Sequence, residues 1–367
     1  MQKISNYQLF CLMVLFEIGS TIIFGFASEA GRAAWISVLI SAFIGLLINL
    51  LYLYLMKCNP ELTLVEWFPK YFGKWIGFTI AWIYVLEFMY DGGRMLQDLE
   101  ILVPTTILLR TPSIIVQLIF MIVIVYALYG GLEVIGRLGE IFLPVILLLS
   151  TIEILLILFS DAVHIQYLKP FLDKGLKNTL NSVFPLGITQ TFGQTIEFTM
   201  IWPEVRDQNK LIKSTLLATL FSGIFIALLD VLAIMVVGAT TFSRSKLPLY
   251  RLIRTISIGD FIENLDSINV LFFLTTAFFK LFIHVFCAIK GVQKLLYTRN
   301  KNKTIIPVSL IVFYLGTNMA SSDPEHLETG LKIVPYNLWF PLFYIIPILL
   351  FVFILIKKFL HRKVFLQ

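Results

Sequence analysis

The residues with chemical potential in this chain are those set among overwhelmingly apolar neighbours. Glu87, Asp91, Arg94 and Asp98 recur at i, i+4, i+7 and i+11 in one such stretch, with Tyr84 and Tyr90 beside them. That spacing puts all four on one face of a helix. Two readings stay open: a polar stripe facing an interior site, or an ion network in which Arg94 neutralises one or two acids and locks helices together. A second cation, Lys280, follows Thr275 and Thr276 and sits among Phe278, Phe279 and Phe282. Thr276 lies one turn before it on the same face. A lysine in these surroundings needs an anion or carbonyl partner. It either mimics a bound cation or pairs with an acid such as Glu197 or Glu153. Asp230 is a weaker candidate of the same kind.

Two further clusters combine glycine with polar groups. Glu17-Ile18-Gly19-Ser20-Thr21 is one; Thr189-Gln190-Thr191-Phe192-Gly193-Gln194-Thr195, followed by Glu197, is the other. Glycine and serine weaken helix continuity and leave room for a ligand. Broken helix ends expose backbone N–H and C=O groups, which suit the carboxylate and ammonium of a zwitterion or a polar neutral solute. The competing reading is that both glycines serve close helix packing.

The elements that must position these groups are membrane helices. Hydrophobic residues make up 58% of the 367-residue chain and charged residues 14%, against about 45–50% and about 25% in soluble domains. Apolar stretches run over 7–28, 33–57, 74–100, 112–130, 137–159, 180–202, 211–240, 268–296, 304–321 and 337–357. Each is long enough to cross ~30 Å of hydrocarbon. The expected fold is therefore all-α and integral to the membrane, one transmembrane domain over 1–367 with ten spans. The two glycine clusters fall in the first and sixth spans, and the charged groups in the third and eighth. Interrupted helices at matched positions of two five-span halves, about 1–160 and 178–358, point to an inverted repeat with a substrate site between the halves. Lysine and arginine are denser in the loops that share the N-terminal side, which places both termini in the cytoplasm. Two loop segments, Leu62 to Phe72 and Pro248 to Asp266, mix apolar and charged residues at helical spacing, as helices lying on a membrane do.

Several function classes are excluded or disfavoured. The net charge of +6 follows from the cytoplasmic loops and suits anionic lipid headgroups without invoking nucleic acid. Cys11, Cys58 and Cys287 form neither a disulfide nor a metal framework. There is no phosphate-binding glycine loop and no zinc-protease motif. No span offers a nucleophile, base and orienter together, so no enzyme, cofactor or metal is expected. His284, the one histidine at membrane depth, reads as a satisfied or pore-facing group.

The broken-helix layout resembles the amino acid–polyamine–organocation transporters, with their LeuT-like fold. More specifically, the chain resembles the B subunit of GerA-type spore germinant receptors. The likeness is carried by Tyr7 to Thr21, Pro104 to Pro112, Phe184 to Pro203 and Pro248 to Lys294, including Pro248-Leu249-Tyr250-Arg251 and Ile258-Gly259-Asp260-Phe261-Ile262-Glu263. The resemblance implies a ten-helix bundle with discontinuous first and sixth helices, in the inner membrane of a bacterial spore. It implies a subunit that binds a small nutrient germinant, an amino acid or sugar, and acts with A-type and C-type subunits. Ligand contacts are then expected from Gly19, Ser20, Thr21, Tyr84, Glu87, Phe192, Gly193, Gln194, Thr275 and Thr276, with Asp91, Arg94, Glu197 and Lys280 as coupling or ion-pair groups. The same fold also suits a secondary amino-acid transporter working by alternating access.

Overall fold

The structure, a computed structural model, describes residues 3–19, 21, 25, 27–106, 110–160, 162–245, 266–298, 300 and 302–364. The described residues form twelve α-helices in chain order: α1 Asn6–Ile18, α2 Ala34–Lys57, α3 Leu64–Thr106, α4 Ser113–Gly130, α5 Leu132–Leu158, α6 Gly175–Ser182, α7 Leu211–Val237, α8 Ala239–Arg244, α9 Asp266–Leu295, α10 Asn302–Asn318, α11 Asp323–Glu328 and α12 Ile346–Val364. There is no β-strand among the described residues, only an isolated bridge between Ile4 and Val205.

Among the described residues seven helical stretches are long and apolar enough to cross a membrane: Ser28–Lys57, Leu64–Val103, Ser113–Gly130, Leu132–Leu158, Leu211–Val237, Asn269–Leu295 and Asp323–Leu360. The first, sixth and ninth expected spans are absent from that set for identifiable reasons. Of the first, the described residues give the 13-residue helix α1. The sixth is wound as a π-helix over Val183–Phe192 and as a 3₁₀-helix over Gly193–Met200. The ninth, α10, has 17 residues. Exposed apolar side chains such as Phe43, Leu47, Ile119, Ile122, Ile141, Leu148, Leu349 and Ile356 form the outer surface, as lipid contact requires.

Local sequence explains the ends that matter. Helix α1 starts at a capping box in which Ser5 Oγ accepts the Gln8 amide and Gln8 Oε1 accepts the Ser5 amide, satisfying two otherwise orphaned donors. It stops at Gly19, where φ is 32° and ψ −130°, a conformation only glycine adopts without strain. Helix α3 is broken at Gly73 (φ 79°). Leu64–Phe72 thus forms a separate leg, folded so that Phe68 backbone lies against Gly77. The leg does not simply lie on the bilayer, because Trp67 and Phe68 are fully buried in the protein. The segment from Pro248 to Asp266 falls almost wholly outside the described residues.

The last span is irregular because Pro335, Pro341 and Pro347 each remove a backbone donor. It winds as a π-helix at Thr329–Ile333, Pro335–Trp339 and Pro341–Ile345. Carbonyls released by that wider winding take tyrosine hydroxyls: Tyr84 donates to Leu342 O and Tyr52 to Phe343 O. In the packing, α9 runs along α3, α2 along α7, and α1 lies against α7, α5 and α9. The polar groups of α1, α3, α9 and the 183–200 segment therefore converge.

Candidate functional site

The centre of the bundle is built around the end of α1. Gly19 accepts two contacts from α9. The Thr276 hydroxyl lies 3.1 Å from Gly19 O, while also within reach of its own helix carbonyls at Phe272 and Phe273. One turn on, the aliphatic stem of Lys280 fills the space in front of Gly19, so that a Cβ there would stand 2.5 Å from Lys280 Cδ. The ammonium lies over the Phe16 ring, 5.3 Å from its centroid, a cation–π arrangement. Thr21 bridges to the sixth segment through its hydroxyl, 2.7 Å from that of Thr191.

Below this junction a buried polar chain ties four elements together. The Thr219 hydroxyl donates to Glu17 Oε1 at 2.7 Å, Asn49 Nδ2 donates to Thr219 Oγ1 at 2.9 Å, and the Thr195 hydroxyl lies 2.8 Å from Asn49 Oδ1. Every side chain in the chain is fully buried. Glu17 Oε2 ends it without a partner among the described residues. Buried polar groups of this kind are costly unless connected, so the network fixes α1, α2, α7 and the 193–200 segment in one arrangement.

A third set surrounds Asp91. Its Oδ2 accepts from Gln194 Nε2 at 2.7 Å and its Oδ1 from the Trp339 indole at 2.9 Å. Glu197 Oε1 contacts His284 Nδ1 at 2.6 Å, and Asp98 Oδ1 contacts His326 Nε2 at 2.8 Å. Glu87, buried one turn from Asp91, has no partner for either carboxyl oxygen among the described residues. Asp91, Glu197 and His284 each offer a ligand atom, all within 4.8 Å of one another. They are already joined to neighbours by hydrogen bonds.

Asp91, Arg94, Asp98, Gln194, Lys280 and His284, with Trp339 at the wall, line one half-open cleft. The helical face read from spacing is therefore real: three of its four charged residues look into one space. The expected ion pairing is not. Among the described residues no carboxylate oxygen lies within 4.0 Å of Arg94 or Lys280. Arg94 turns to His326 O at 3.5 Å, packing over Gly330, where any Cβ would collide with the guanidinium. The acids that spacing assigned to it are taken by groups from distant sequence. Glu153, offered as a partner for Lys280, is buried with its Oε1 unpaired.

The remaining expected site residues are placed as follows. The Tyr84 hydroxyl is held by Leu342 O. Phe192 wedges against the missing side chain of Gly45 on α2. Gly193 does not interrupt its segment: its φ and ψ are −70° and −37°, and the break lies instead at Phe184 (φ −114°, ψ 130°). At Gly193 the winding tightens from π to 3₁₀. Thr275 bonds back to Leu271 O within α9. Ser20 lies outside the described residues. Sequence reasoning passed over Asn49, Thr219, Trp339 and His326. The signal available was Asn49, whose amide stands within the long apolar run of α2.

Comparison with known proteins gives a consistent result. A family model described as spore germination protein, the spore permease family, matches residues 3–324. Spore germination protein KB of Bacillus subtilis is 32% identical over 356 residues, covering 97% of this chain and 95% of the relative. Spore germination proteins B2 and A2 of the same organism are 24% and 26% identical over 364 and 321 residues. They cover 92% and 83% of this chain, and the chain covers 95% and 85% of them.

Proposed function

Because the chain belongs to the spore germination protein family, we propose that it is the germinant-sensing membrane subunit of a spore germination receptor. It is a multi-pass membrane protein. In this reading it resides in the spore inner membrane with both termini on the core side and acts with A-type and C-type subunits. It binds a small nutrient, an amino acid or sugar, near the middle of the membrane. The observation that carries the reading is the junction of Gly19, Thr276 and Lys280. The first helix ends there inside the bundle, and its terminal carbonyl is met by another helix.

The ten-span, five-plus-five inverted repeat forms part of the proposal. Its support is that matched spans touch. The second packs on the seventh as α2 on α7, the third on the eighth as α3 on α9, and the first meets the sixth at Thr21 and Thr191. A pseudo-two-fold axis between two halves produces such contacts. Sensing requires that the nutrient bind one arrangement of these elements more tightly than another.

The test is nutrient-triggered germination of spores in which this chain is the sole B-type subunit. Substitutions at Gly19 should raise the nutrient concentration needed or abolish the response. An unchanged dose response would remove the pocket assignment. Counterflow of labelled amino acid in liposomes by this chain alone would favour the transporter reading instead.

A further inference from the structure

We infer that the cleft lined by Arg94 and Lys280 is an anion site that takes the carboxylate or phosphate group of a small solute. It deepens the receptor reading, on which its consequence in spores rests, while the binding itself can be measured on the purified chain.

The argument starts from unspent donors. A guanidinium carries five N–H donors and an ammonium three. Arg94 uses one, at 3.5 Å, on His326 O, the outer limit of a hydrogen bond. Lys280, 3% exposed, rests on the Phe16 ring and makes no hydrogen bond among the described residues. Both side chains face the same space. Removing a lysine this far from water is costly without a counter-charge.

Among the described residues the acids of the cleft form no ion pair or hydrogen bond with either cation. Both oxygens of Asp91 already accept, from Gln194 and Trp339, and Asp98 is held by His326. What remains facing the cleft among the described residues is the donor capacity of Arg94 and Lys280, with the unpaired amide oxygens of Gln190 and Gln194 as acceptors. A carboxylate or phosphate supplies acceptors in the planar or forked geometry that a guanidinium matches. Gly330 shows that the Arg94 position is built rather than incidental, since only a residue without Cβ leaves room for the guanidinium there. The negative charges of Asp91 and Asp98 favour the singly charged carboxylate over a phosphate, which carries nearly two charges at neutral pH. Gln190 Oε1, buried and unpaired in the same wall, is an acceptor for an N–H or O–H elsewhere on the ligand. The fitting solute carries one anionic group and at least one donor.

The experiment uses the full chain in nanodiscs at constant ionic strength, with affinity read by titration calorimetry and by the ligand-dependent rise in Tm. L-alanine and acetate present a carboxylate, inorganic phosphate a phosphate; alaninamide and glucose lack both. A carboxylate probe or phosphate should bind saturably, and the better of the two identifies the source. Arg94→Gln should weaken it by about tenfold or more, and Arg94→Lys, which keeps the charge and the fold but not the fork, by less. The inference fails if no anion binds, if alaninamide or glucose binds as well as L-alanine, or if Arg94→Gln leaves affinity unchanged. Spores with this chain as the sole B-type subunit that respond to no nutrient, with anion binding by the purified chain intact, would remove the receptor reading and leave this one standing.

Discussion

The side-chain stem of Lys280 occupies the space that a β-carbon on Gly19 would need. One residue ends the first helix and the other comes from the middle of α9, so the central cation and the helix end are fixed together. Moving either moves the other, which makes this contact a natural point for a nutrient to act.

Gly19→Ala should therefore be harmful twice over. The positive φ costs a non-glycine residue about 1–2 kcal/mol, and the new methyl group displaces Lys280. Thermal unfolding of the purified chain should show the loss, and spores carrying the variant should need more nutrient. Gly193→Ala should be milder in unfolding. Its backbone is already helical, and its added methyl meets Ile188 O and Phe343 Cδ2 at 3.0 Å and Tyr344 Cε2 at 3.3 Å, none closer. Equal losses at both positions would contradict this difference.

Thr219→Val should be the most damaging change in the buried chain. It leaves Glu17 Oε1 without its donor and Asn49 Nδ2 without its acceptor, at about 1–3 kcal/mol for each stranded group. Thr195→Val should cost less, because the Thr195 hydroxyl divides its attention between Asn49 and Phe192 O. The order of the two melting temperatures in detergent is the check.

Asp91→Asn should strand one of the two donors that Asp91 now serves, the Trp339 indole or the Gln194 amide. The carboxylate accepts from two N–H donors at once, whereas an amide turns its own donors toward one of them. A shift in tryptophan emission relative to wild type, absent in a Trp339→Phe background, would report the lost indole contact. No shift would mean that the amide keeps its oxygen on the indole and that the lost contact is the one to Gln194.

Gly330→Ala should act on Arg94 at a distance in sequence. The methyl group would push the guanidinium out of its place in the cleft, so anion affinity should fall as it does for Arg94→Gln. Unchanged affinity would show that Arg94 works from another position.

Much of the architecture was legible before any coordinates. Burial in lipid leaves no water to satisfy a backbone, so long apolar runs had to be helices. Among the described residues, seven of the ten expected stretches are long and apolar enough to span. The costly groups at 17, 87, 91, 94, 98, 197 and 280 were legible for the same reason. Helical period alone placed Asp91, Arg94 and Asp98 on one wall and Thr276 beside Lys280, because those relationships are local.

Partnership was not legible. Sequence proximity suggested that Arg94 neutralises its neighbouring acids, yet Asp91 went to Gln194 and Trp339, Asp98 to His326, and Arg94 to a backbone carbonyl beside Gly330. These contacts join residues more than a hundred positions apart, and no spacing rule encodes them. The two glycines likewise looked alike in sequence. Only the packing decided that Gly19 ends a helix against Lys280 while Gly193 stays helical against Phe343, since a glycine permits both conformations and the neighbours choose between them.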